Sequence, residues 1–164
     1  EGRAFLFLPF ANYTDFNLDA CGEMIAHPDC VMGLGDGGAH VGIISDAGYP
    51  TYLLSHWGRD RAYGRFDIPY LVKRQTADTA RAVGLLDRGI LAPGMKADLN
   101  LIDFDRLGVC APDMEFDLPA GGKRLLQRAT GYAATIVSGT IAYRNGEATG
   151  ALAGKLVRGP QMAS

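Results

Sequence analysis

Asp36 stands among three glycines, Gly35, Gly37 and Gly38, directly after the apolar run Cys30 to Leu34, and His40 follows four residues on. A carboxylate on a glycine turn has open space beside it and can take and return a proton. An imidazole this close in sequence lines the same cleft, where it can touch substrate or hold the carboxylate in place. The apolar run is consecutive, as in a strand buried on both faces. A carboxylate at the C-terminal end of such a strand sits where barrel and open-sheet α/β proteins keep their chemistry. The other reading is that Asp36 makes an Asx-turn or caps the next segment. The run by itself leaves both open.

A second polar group lies downstream: Arg59, Asp60, Arg61 and Arg65, with Asp67 nearby. It reads either as a solvated helix end or as a site for a substrate anion, because guanidinium groups bind carboxylates bidentately. Arg59 or Arg61 would be the group that holds the anion. The three histidines, His27, His40 and His56, are never two or four residues apart, so no local metal pair exists. His27 reads as a helix end at the surface and His56 as an ordinary helix residue. Asp46 falls in an irregular stretch and suits a turn. Cys21, Cys30 and Cys110 form no paired motif; they read as small buried hydrophobes in a reducing, cytoplasmic compartment.

The elements that must position these residues can be read from spacing. Ala4 to Leu8 is an apolar run stopped by Pro9, a buried strand. Asn17 caps a helix in which Leu18, Cys21, Met24 and Ile25 recur on one face, and Pro28 follows its end. Residues 4 to 34 therefore read as strand, helix, strand, one parallel βαβ unit that needs further strands on both sides. Thr51 opens a helix with Tyr52, Leu53, Leu54 and Trp57 on one side. Asp67 caps another, with Pro69 in its first turn, broken near Thr76 or Asp78 and stopped by Gly84. Arg74, Arg81 and Arg88 read as surface residues. The character changes near Leu85. Ala97 to Phe104 alternates into a strand, and Ala134 to Tyr143 reads as a hairpin about Ser138-Gly139, with a second turn at Arg144 to Glu147. From about residue 89 the chain reads as all-β with long loops, ending in a basic stretch, Leu152 to Gly159.

Composition agrees with one globular core. The 164 residues are 48% hydrophobic and 21% charged, with a net charge of −2. No basic stripe argues for nucleic acid, and no apolar run is long enough to span a membrane. The first residues lack the basic-then-apolar order of a signal peptide. Residue 1 is Glu, followed almost at once by an apolar run, so the chain reads as a piece of a longer polypeptide.

Two stretches carry a family resemblance together. Gly89-Ile90-Leu91-Ala92-Pro93-Gly94-Met95-Lys96-Ala97-Asp98-Leu99-Asn100-Leu101-Ile102-Asp103 resembles the Pro-Gly, Ala-Asp signature of the amidohydrolase superfamily. Ile136 to Glu147, with Ser138-Gly139 and Asn145-Gly146, is similar to the closing ribbon of the same proteins. Gly33 to His40 then resembles the segment after the last barrel strand, with Gly35 where the motif has Ser. Within the superfamily the likeness is to the N-acyl-D-amino-acid deacylases, or D-aminoacylases. It rests also on Asn12-Tyr13, Thr51 to Leu54, Trp57, Arg59 to Arg61 and Asp117 to Gly122.

The resemblance implies a fold that is α/β plus β: the C-terminal βα units of a metal-dependent (β/α)8 barrel over residues 1–88, then part of a small β-sandwich over 89–164. It implies a zinc ion in the complete protein, with Asp36 as metal ligand and proton shuttle. Such an ion polarises a carbonyl and lowers the pKa of its water toward ~7. The implied substrate is a linear N-acyl amino acid amide, with His40 and Arg59 or Arg61 in contact with it. The implied partner is the remaining N-terminal part of the polypeptide or a second copy of the chain. The His-x-His pair and the other ligands of the family are not in this sequence, so the segment alone is expected to be inactive. Rival readings are cyclic-amide opening or deamination on the same scaffold, or a degenerate, non-catalytic interaction module.

Overall fold

The computed structural model describes residues 11–13 and 15–162. The expected strand Ala4 to Leu8 lies outside the described residues. Among these residues four helices come first: α1 (Asp19–Ala26), α2 (Tyr49–Ser55), α3 (Ile68–Gln75) and α4 (Ala77–Ala82). Six strands follow: β1 (Leu99–Ile102), β2 (Gly108–Leu118), β3 (Gly122–Thr130), β4 (Tyr132–Val137), β5 (Thr140–Arg144) and β6 (Glu147–Ala148).

The helices begin and end where local chemistry requires. The Oδ1 of Asn17 accepts the amide of Asp19 at 2.8 Å, just before α1. Asp67 precedes α3 in extended backbone, and Pro69 occupies its first turn, where a missing N–H costs nothing. Thr76 leaves helical geometry and separates α3 from α4. After α2 the chain widens into one π-helical turn, His56–Asp60, closed by the amide of Arg61 on the carbonyl of His56 at 2.9 Å. Such widened turns are uncommon in helices.

The core lies between the helices and the start of the β region. Ile25, Leu53, Leu54, Trp57, Leu71 and Leu107 form it, with Phe104 and Tyr132 packed against it. Leu71 is fully buried, and truncating such a leucine to alanine costs about 2–5 kcal/mol. Thr51 and Tyr132 join the two halves through a 2.8 Å contact between hydroxyls.

The strands form two antiparallel sheets, one in the order β1-β4-β5-β6 and one of β2 and β3 alone. The β4–β5 turn has Ser138 and Gly139 at φ 50° and 81°, and the β5–β6 turn has Asn145 and Gly146 at φ 50° and 85°. Two successive positive φ values match the twist of a hairpin. Asp98 is tied into this sheet, accepting the amide of Ser138 at 2.8 Å.

Two expectations are corrected. No strand forms over 30–34: the segment is irregular, and Leu34 is 97% exposed with φ 55°. A strand buried on both faces needs neighbours to bond, and none of the described strands pairs with this one. The long hairpin β2–β3 occupies a stretch of the all-β region for which the sequence marked no particular strand. Arg74 is not at the surface: it is 6% exposed, and its guanidinium donates to the carbonyls of His27 and Cys30, the former at 3.1 Å, and to Asp78 at 3.3 Å. It closes the C-terminal end of α1, where free carbonyls collect. Among the described residues no helix is long and apolar enough to cross a membrane.

Candidate active-site turn

Asp36 lies on an exposed turn held by main chain. The amide of Ala39 donates to the carbonyl of Asp36 at 2.8 Å, and that of Val41 to the carbonyl of Gly38 at 3.1 Å. The amide of Asp36 itself donates to Oδ2 of Asp46 at 2.9 Å. Asp46 opens a short 3-10 turn, Asp46–Gly48, that runs directly into α2. The turn role expected of Asp46 is therefore its bonding here. It fastens the Asp36 turn to a helix rooted in the core.

Close approach explains two of the glycines. A Cβ on Gly37 would stand 2.7 Å from the Cβ of Ala47. A side chain at position 35 would meet the ring of Tyr49 at 3.1 Å and Asp46 at 3.2 Å. The serine of the related motif is replaced by Gly35 at a place where the turn lies flat against Asp46 and Tyr49.

The cost of the turn is carried by other residues. Leu34, His40 and Val41 all have φ between 52° and 55°. Left-handed backbone is costly for a β-branched residue such as Val41. Strain of this kind persists where surrounding contacts impose it, and it gathers at functional turns.

Asp36 and His40 thus stand on one exposed turn. Among the described residues, no hydrogen bond or ion pair reaches the carboxylate of Asp36 or the imidazole of His40. Both side chains are exposed. The carboxylate is not spent on the loop's own amides, as a plain Asx-turn would require.

The two arginines have other work in this structure. Arg59 pairs with Asp60 and donates to three carbonyls that lead into β2: those of Phe104, Asp105 at 3.1 Å and Leu107 at 2.7 Å. The Arg59–Asp60 hydrogen bond holds the Asp60 carboxyl below its usual range. Arg61 lies over the ring of Trp57 at 4.3 Å and that of Tyr63 at 4.9 Å, and it pairs with Asp19. None of these bonds runs to the Asp36 turn. An anion at either guanidinium would have to exchange with Asp60 or Asp19.

His56 is packed rather than ligating. Its ring stacks on Tyr52 at 4.7 Å and meets Trp57 edge-on at 5.5 Å. Its Nε2 is buried and has no hydrogen-bond partner among the described residues. Burial, and then the nearby Arg61, push its pKa below the usual histidine value.

Among the described residues, no group of three or more His, Cys, Asp or Glu side chains could hold a metal ion. A catalytic zinc takes three protein ligands, so these residues by themselves do not fit one. Asp36 could be at most one donor of a set completed from elsewhere.

A model of the amidohydrolase family matches residues 10–143, and the chain belongs to that family. Over 39 residues it is 54% identical to a 5-methylthioadenosine/S-adenosylhomocysteine deaminase of Pelotomaculum thermopropionicum, a stretch that is 24% of this chain and 9% of that protein. Over 60 residues it is 37% identical to adenine deaminases of Brucella anthropi and Brucella suis, covering 37% of this chain and 10% of theirs. The matched stretches thus span about a tenth of the length of these curated relatives. No solved structure matches the chain.

Proposed function

We propose that the chain is the C-terminal portion of a metal-dependent amidohydrolase that cleaves a linear amide, converting an N-acyl-D-amino acid to a carboxylate and a D-amino acid. In this reading residues 1–88 supply the last βα units of a (β/α)8 barrel, and residues 89–164 supply strands of a β-sandwich. The N-terminal part of the same polypeptide brings the remaining zinc ligands.

The observation that carries the reading is the uncommitted carboxylate of Asp36. The loop is held by the main-chain amide of Asp36 and the side chain of Asp46, and among the described residues no bond engages the Asp36 carboxylate oxygens. As water attacks the amide carbon, Asp36 takes its proton. The C–N bond then breaks and the same proton passes to the leaving nitrogen, so the carboxylate ends as it began. Asp36 also serves as one metal ligand in the complete protein. His40, two residues beyond Gly38 on the same turn, faces the substrate. Arg59 or Arg61 binds its carboxylate by giving up Asp60 or Asp19.

A second reading is deamination. It is supported by the names of the relatives, all of them deaminases. The two chemistries share water attack and C–N cleavage, and they differ in the leaving group: ammonia from a heterocycle, or an amino acid from an acyl chain. The test is to supply the complete polypeptide with N-acyl-D-amino acids, N-acyl-L-amino acids and adenine derivatives. Release of free D-amino acid supports the deacylase reading. Release of ammonia from the adenine derivatives alone replaces it with deamination.

A further inference from the structure

The hairpin β2–β3 touches the Asp36 segment at two points, one on each side of the 3-10 turn's start. On the first, the amide of Leu125 donates to the carbonyl of Val41 at 2.8 Å, so the loop runs along the free edge of β3. Met114, paired with Leu125 across the hairpin, lies beside Gly42 at ordinary contact range: a Cβ there would stand 3.6 Å from Cε and 4.0 Å from Sδ. On the second, Gly48 lies against Gln127 and Val109: a Cβ would stand 2.7 Å from Oε1 of Gln127 and 2.9 Å from Val109. The Gln127 amide is itself fixed, donating to the carbonyl of Cys110 at 3.1 Å. Gly48 has ordinary right-handed backbone, so it is the closeness of the hairpin that demands glycine.

Between these two points lies Asp46, whose carboxylate holds the amide of Asp36, and His40 lies just before the first point. The left-handed His40 and Val41 sit immediately beside the first contact. A strained, exposed turn keeps one shape only when something outside it imposes that shape.

We propose that β2–β3 is a two-point clasp that sets the Asp36–His40 turn, and that Met114 and Gln127 are positioning residues for the reaction although neither reaches the reacting atoms. Met114 fixes the side next to His40. Gln127 fixes Gly48 and, through Asp46, the main chain of Asp36. This rests on Asp36 being the proton-handling carboxylate.

The test uses the complete polypeptide carrying Met114→Ala, Gln127→Ala or both. Hydrogen exchange over residues 36–48 is expected to quicken about tenfold, with protection in α2 and α3 unchanged. In the same variants kcat is expected to fall about tenfold with KM nearly constant, and the pH profile of kcat to shift, because the carboxylate is aimed differently. Unchanged exchange over 36–48 overturns the clasp whatever the activity does. Quickened exchange with unchanged kcat and pH profile keeps the contact but overturns the positioning role. Asp36→Asn serves as the separate control: if it leaves turnover intact, the functional reading of Asp36 fails while the exchange result still decides the clasp.

Discussion

The backbone amide of Asp36 and the side chain of Asp46 meet at 2.9 Å, so the carboxylate of one acid anchors the main chain of the other. Asp46 is spent on the loop, while no hydrogen bond among the described residues reaches the carboxylate of Asp36, as its proposed proton-handling role requires. Removing the anchor should loosen the turn without touching the core. Asp46→Ala is expected to lose about 1 kcal/mol of local stability, the net worth of one such hydrogen bond, while Asp46→Asn keeps an acceptor and most of it. Amide exchange at Asp36 checks this. Equal protection in the wild type and the alanine variant would sink it.

His56 gives the fold a pH dependence. Its folded-state pKa is depressed, by burial first and Arg61 second, with Asp60 opposing. The unfolded chain therefore takes up the proton first, and stability falls as the pH drops through the ordinary histidine value near ~6.5. The depressed carboxyls of Asp60, Asp78, Asp87 and Asp117 also stabilise the fold, but that contribution is lost only at more acid pH, below the usual aspartate range. His56→Phe keeps the ring stacking on Tyr52 and removes the titration. Urea midpoints measured at about pH 7.5 and 5.5 should fall for the wild type and fall less for the variant. Parallel behaviour of the two proteins would contradict this.

Arg74 and Lys73 both bond Asp78, yet they should differ sharply. Arg74 is buried and also holds the carbonyls of His27 and Cys30. Arg74→Ala leaves these groups unpaired and is expected to cost about 3 kcal/mol, the usual penalty for breaking a buried charged cluster from one side. Lys73 is exposed, and Lys73→Ala is expected to cost under ~1 kcal/mol. Chemical denaturation of the two variants measures the gap; similar costs would refute the role given to Arg74.

Among the described residues no metal site is assembled. Residues 1–164 alone are therefore expected to bind no stoichiometric zinc and to hydrolyse no amide. They also expose large apolar side chains, Leu34, Leu91 and Leu152 each more than four-fifths accessible. Scattered exposure is ordinary, but here Val31, Leu34 and Ile43 lie within one short irregular stretch. Light scattering of the isolated segment should show self-association. A monodisperse monomer that binds zinc at one equivalent would contradict both expectations.

Much of the fold could be read from local signals. Asn17, Pro69, Thr76 and Gly84 mark helix ends because each acts on the backbone beside it, whereas Asp67 stands at the start of α3 without a side-chain capping bond. Ser138-Gly139 and Asn145-Gly146 marked hairpins for the same reason. The hairpin β2–β3 escaped notice because Gly108, Pro112 and several acids interrupt its alternation, and its register slips between Val109 and Pro112 and between Glu115 and Leu118. Arg74 reads as a surface residue because nothing in α3 announces that its guanidinium will find the carbonyls of His27 and Cys30, far earlier in the chain. Cys30 to Leu34 carries the apolar pattern of a buried strand, but a pattern cannot supply the neighbouring strands it needs. At the site, the Asp36 turn was visible through its glycines. The use of Asp46 as its anchor, and the hairpin behind it, depend on contacts distant in sequence.

The most direct test of the account is kcat of the complete polypeptide with Asp36→Asn, measured on an N-acyl-D-amino acid. The substitution keeps shape and hydrogen-bonding capacity while removing the proton carrier. The account predicts a loss of about 10²–10⁴-fold in kcat with the fold intact. An Asp36→Asn enzyme within a fewfold of wild type would contradict it.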